Sequence, residues 1–161
     1  MTFALLVVGI AMIFAAGCTS KNTSVATTPI TTITGDQAAM NKMVLMNNYL
    51  SPLMTSFGNA MQSGNYTTAR SSAVSIKEYI DENLPEMRQL ANETTSRQTV
   101  TQEYVWGLED LQSGMNAVIP ALDDYNSGNT TGGTPLLTAA GLDIQNATQH
   151  FQNINADLTP G

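Results

Sequence analysis

The sequence predicts an all-α protein, an up-down-up-down four-helix bundle. Three observations carry this expectation. Apolar residues recur at alternating steps of three and four in four successive segments, short runs of helix-breaking residues separate those segments, and strand-like alternation is almost absent. Amphipathic segments of similar length joined by short loops place consecutive helices antiparallel.

The first stripe is Met43, Met46, Leu50, Leu53, Phe57 and Met61, on a helix expected from Asp36, its N-cap, to about Ser63. Ser63-Gly64-Asn65 breaks it, with Gly64 suited to the left-handed position after a helix and Asn65 to the cap of the next. The second stripe runs through Ala69, Ala73, Ile76, Ile80, Leu84, Met87 and Ala91. Lys77, Glu78, Asp81, Glu82 and Glu86 lie largely opposite, and Pro85 is expected to kink the helix near its end.

Thr95 followed by Gln98 has the form of a capping box and opens the third and most regular stripe: Tyr104, Leu108, Leu111, Met115, Val118, Leu122 and Tyr125. Ser127-Gly128-Asn129 closes it, and Thr130-Thr131-Gly132-Gly133 reads as a loop. Thr134-Pro135 then reads as N-cap and first-turn proline of a fourth helix carrying Leu137, Ala140, Ile144, Ala147, Phe151, Ile154 and Leu158. The recurrence of Ser-Gly-Asn at 63 and 127 suggests two related helical hairpins.

Ahead of the bundle, residues 3–17 form an apolar run that ends in Ala15-Ala16-Gly17 and is followed by Cys18, the only cysteine. This resembles the lipobox signal peptide of prokaryotic membrane lipoproteins. The resemblance implies a signal peptide over 1–17, a lipid on Cys18 as the mature N-terminus, and a protein tethered to the membrane and facing outside the cytoplasm. Spanning about 30 Å of hydrocarbon takes roughly 20 helical residues, more than the run offers. Residues 18–35 are a Ser/Thr-rich stalk, too polar to bury the surface that would offset ordering entropy. Residues 36–158 are long enough for one core and short for two.

Only 12% of residues are charged and the net charge is −7, whereas typical domains are about 25% charged. An acidic chain lacks the basic face that nucleic acid or anionic lipid requires, so the tether falls to the lipid alone. Asn-X-Ser/Thr occurs at Asn22, Asn65, Asn92, Asn129 and Asn146, a modest excess over what Asn and Thr enrichment produces by itself. Sequons together with a lipobox point to an N-glycosylated surface protein, of an archaeal more than a bacterial envelope.

Most catalytic constellations lack their parts. Without a second cysteine there is no disulfide framework, Cys-ligated zinc or c-type haem attachment. A Ser-His-Asp triad would have to use the single histidine, His150. No nucleophile elbow, Glu-x-x-His pair or phosphate-cradling loop occurs, and Gly132-Gly133 lacks the strand a dinucleotide loop follows.

In this topology the start of helix one and the end of helix four share an end, which sets Met40, Met43 or Met46 near His150. That layout resembles cytochrome b562, and the resemblance implies Met43 and His150 as axial haem ligands. Against it, methionines are ordinarily core filler and His150 lies on the flank of its stripe. Glu109-Asp110 and Asp123-Asp124 read as solvated helix faces, since neither pair has the loop spacing of a calcium site. Trp106 and Tyr79 fall off the seams and are expected at the bundle edges.

The expected function is thus a lipid-anchored envelope surface protein without catalytic activity or cofactor, engaging a protein or small-molecule partner. The alternatives are a small-ligand or b-type haem-binding bundle, and a free-standing sensor-like or partner-regulating lipoprotein.

Overall fold

Ile76, Ile80, Leu84 and Met87, four successive members of the second stripe, are each at most 2% exposed. Burial of such side chains at helical spacing is the main force organising the chain, at about 1.5–3 kcal/mol each. The structure is a computed structural model that describes residues 34–158, with side chains to 154. The expected signal peptide, Cys18, Asn22, most of the stalk and the side chain of Leu158 lie outside the described residues.

Four helices follow one another: α1 (Gly35–Gln62), α2 (Tyr66–Glu93), α3 (Gln98–Asn126) and α4 (Thr130–Leu158). Each packs antiparallel on its sequence neighbour, forming an all-α, up-down-up-down four-helix bundle. Met43, Met46, Leu50 and Phe57 from α1 meet Leu108, Leu111, Met115 and Val118 from α3 and Ile144 from α4 in one core. Among the stripe residues whose side chains are described, all are buried except Leu53, Met61, Tyr125 and Leu137, which sit part-buried at the margins. Pro52, Pro85 and Pro120 all lie inside continuous helices, and α2 runs on from Pro85 to Glu93.

Three expected caps are corrected. α1 is capped by Thr34, whose hydroxyl accepts the Gln37 N–H at 3.3 Å. Asp36, the expected cap, instead accepts the Thr95 N–H at 2.9 Å and the Ser96 hydroxyl, clasping the α2–α3 loop to the start of α1. Thr95 therefore forms no capping box with Gln98, and Arg97 stands at the α3 N-cap with no side-chain cap bond.

The expected loop at 130–133 is the first turn of α4, and Pro135 lies inside that helix. Asn129 caps it, its Oδ1 accepting the Gly132 N–H at 3.1 Å, and the Thr134 hydroxyl donates to the Thr130 carbonyl. The reason is tertiary. A β-carbon on Gly133 would lie 2.6 Å from the Tyr125 ring and 2.8 Å from the Ala121 carbonyl, so the two glycines let this turn dock directly on the end of α3.

The two hairpin turns match bond for bond. Ser63, Gly64 and Asn65 donate their N–H groups to the carbonyls of Asn59, Met61 and Ala60; Ser127, Gly128 and Asn129 donate to those of Asp123, Tyr125 and Asp124. Gly64 and Gly128 take φ of 70° and 85°, the left-handed region that a β-carbon disfavours. Asn65 then accepts the Thr68 N–H at 3.1 Å, as Asn129 accepts that of Gly132.

The four seams are unequal. α3 and α4 approach most closely, because Gly107, Gly114 and Ala121 recur on one face of α3 opposite Gly133, Ala140 and Ala147. Across the core, the Tyr104 hydroxyl reaches from α3 to the Asn47 side chain of α1 at 2.8 Å. No Cα of α1 lies within 8 Å of one in α4, so this seam is the widest.

Candidate functional site

The chain's one histidine sits on the flank of α4 that faces α3, where two acidic residues a double turn apart bracket it. Glu103 and Asp110 are seven residues apart and so share a face of α3. Antiparallel packing sets His150 between them. Its Nδ1 lies 2.7 Å from Glu103 Oε2 and its Nε2 3.5 Å from Asp110 Oδ2. Asn153, nearly one turn further along α4, donates to the same Glu103 oxygen at 3.1 Å. Trp106 covers the cluster from α3, its ring centred 5.7 Å from the imidazole, and is itself 43% exposed.

The two carboxyls are driven in opposite directions. Burial works to raise the Glu103 carboxyl, but hydrogen bonds from His150 and Asn153 and the electrostatic attraction of His150 outweigh it and hold Glu103 below its ordinary value. Asp110 is pushed up, first by burial and then by Asp143 and Glu109, with only His150 opposing. Glu103 is thus the anion to which the imidazole is tied, and Asp110 the weaker outer partner.

A carboxylate that orients an imidazole is also the back half of a general-base dyad. The other half would require a hydroxyl at Nε2, and that nitrogen faces Asp110. Among the described residues no group of three or more His, Cys, Asp and Glu side chains is arranged to hold a metal ion. The cluster ties α3 to α4, together with the Ser113–Asp143 hydrogen bond at 2.7 Å lower on the same face.

The two expected haem ligands sit in different surroundings. Met43 is 4% exposed within the core, and both ring nitrogens of His150 face carboxylates of α3. Glu103 belongs to no motif, and the sequence presents Asp110 only as half of the Glu109-Asp110 pair. Their seven-residue spacing on the flank opposite His150 is the one sequence signal that would have found them.

The remaining candidates scatter. Asn65, Asn92, Asn129 and Asn146 are all exposed: Asn65 and Asn129 in the turns at one end, Asn92 in the last turn of α2, and Asn146 within α4. The acidic pairs are divided among separate partners, Glu109 with Arg88, Asp123 with Arg70, and Asp124 with Asn129. Tyr79 stacks on Tyr49 at a centroid distance of 4.0 Å on the α1–α2 face. Among the described residues no helix is long and apolar enough to cross a membrane.

No protein-family model matches the chain, and neither the curated proteins nor the solved structures contain a significant match to it.

Proposed function

We propose that this chain is a lipid-anchored surface protein of a prokaryotic envelope, whose four-helix bundle is a non-catalytic interaction or structural module. The observation that carries the reading is the apolar run at residues 3–17, closed by Ala15-Ala16-Gly17 and Cys18 and followed at once by a Ser/Thr-rich stretch. The bundle supports it indirectly: the single histidine is held between carboxylates, and the surface is polar but sparsely charged. A domain of this kind presents amide and hydroxyl groups outward while a lipid holds it at the membrane.

The test is metabolic labelling with a fatty-acid precursor in the native host, with membrane fractionation of wild type and Cys18→Ser. Label in the wild-type protein and its recovery with membranes, both lost in Cys18→Ser, is the expected outcome. An unlabelled wild-type protein in the cytosolic fraction overturns the reading.

A further inference from the structure

The two matched turns differ at one position that decides what their asparagines are free to do. In the α3–α4 turn Asp124 accepts a hydrogen bond from the Asn129 Nδ2 at 3.0 Å, so both ends of that amide are engaged. The α1–α2 turn has Ala60 at the equivalent place. The Asn65 Oδ1 still caps α2 by accepting the Thr68 N–H, but its Nδ2 makes no bond among the described residues.

Asn65 also heads the sequon Asn65-Tyr66-Thr67 and has a non-helical backbone, with φ −84° and ψ 75°. Thr67 of this sequon lies in the first turn of α2 and donates to Asn126 Oδ1 at 3.3 Å, so what sets Asn65 apart is its own amide: the other described sequon asparagines lie inside helices or are bonded at both ends. Asn92 lies inside α2 and its Thr94 is 3% exposed, the hydroxyl shared with Leu90, Ala91 and Thr101. Asn146 lies inside α4 and its Thr148 hydroxyl donates to the Ile144 carbonyl.

A second observation points to a sugar. Asn65 borders a shallow groove of about 480 Å³ between α1 and α2, whose polar lining is Asn59, Ser63, Thr55, Ser56 and Thr68. Uncharged amides and hydroxyls beside Pro52 offer the mixture of hydrogen-bonding and apolar contact that a pyranose presents in return.

We infer that Asn65 carries an N-linked glycan whose first sugars lie in this groove, a modification that rests on the export reading above. In the transfer, the Asn65 Nδ2 bonds to the anomeric carbon of a sugar carried on a polyprenyl phosphate. The bond from that carbon to the phosphate oxygen breaks, the lipid phosphate leaves with the electron pair, and Nδ2 loses one proton. The Oδ1 keeps its bond to Thr68, so modification leaves the helix cap intact.

The experiment is site-resolved mass spectrometry of the full chain purified from its native membranes, reading the Cys18 and Asn65 peptides of each sample. A glycan mass on Asn65 at higher occupancy than on Asn129, retained in Thr67→Ser and lost in Thr67→Ala with helix content unchanged, is expected. Glycosidase release is expected to be faster in the Asn59→Ala, Ser63→Ala double variant, and equal rates overturn the groove placement. A bare Asn65 in protein whose Cys18 is lipidated overturns the glycan while the anchor stands. An unlipidated cytosolic protein with bare Asn65 overturns both.

Discussion

Gly107 of α3 faces the ring of Phe151 of α4 so closely that a β-carbon would lie 2.7 Å from its Cε1. Gly114 stands in the same relation to Ile144, at 2.8 Å from its Cγ1. The closest seam of the bundle is therefore set by missing side chains. Gly107→Ala or Gly114→Ala forces α4 outward and is expected to cost about 1–3 kcal/mol, the ordinary range for overpacking, despite the better helix propensity of alanine. Denaturant unfolding measures it, and a stabilised Gly107→Ala would mean the seam relaxes freely.

Tyr104 is 1% exposed, and its hydroxyl donates to Asn47 across the core. Tyr104→Phe keeps the packing and removes this bond, leaving the part-buried amide of Asn47 without its donor. A loss of about 1 kcal/mol is expected, with the double variant Tyr104→Phe, Asn47→Ala less than additive if the two residues act through each other.

The cluster around His150 predicts opposite signs for its two acids. Glu103 is held below its ordinary carboxyl value, so its contribution is present above the unfolded value of 4.5 and lost as pH falls through the lower folded one. Asp110 is raised, so its ionised form works against folding once pH exceeds that raised value. Glu103→Gln is expected to destabilise at neutral pH and to flatten the acid limb of a melting-temperature profile. Asp110→Asn is expected to be neutral or stabilising there, and equal losses from both would contradict the assignment.

Asp36 and Asp81 reinforce the acid limb. Asp36 is lowered chiefly by the Ser96 hydroxyl and then the Thr95 N–H, and Asp81 chiefly by Lys77, with Gln112 adding. Melting temperature is expected to fall as pH drops below the ordinary aspartate value of 3.8, and more shallowly in Asp36→Asn, which a calorimetric pH series would read.

The matched turns predict matched losses. Asn65→Ala and Asn129→Ala each remove a side-chain cap and are expected to cost about 1 kcal/mol. Asn129→Ala also strands the Asp124 carboxylate, so it is expected to be the costlier of the two, measured by thermal melts of the unmodified protein.

Which residues turn inward was legible because a buried stripe must repeat with the helix period, whatever it packs against. Ala69, Ala73, Ile76 and Ile80 declare their face without reference to any neighbour, and Ser-Gly-Asn declares its turn because few residues other than glycine take the required φ. The helix starts were less legible. Asp36 and Thr95 each carry a plausible local cap, and the pairing of one with the other across the α2–α3 loop takes both away.

The sequence by itself determined four helices, their buried faces and the turns between them, since periodicity and left-handed glycines are properties of a single segment. The tertiary structure decided where α4 begins, which seam closes tightest and what His150 touches. Those depend on distances between segments: Gly133 against Tyr125, Gly107 against Phe151, Glu103 against His150. A local pattern specifies a face, but only a packed neighbour converts an absent side chain into a close approach or a flanking imidazole into the partner of a carboxylate.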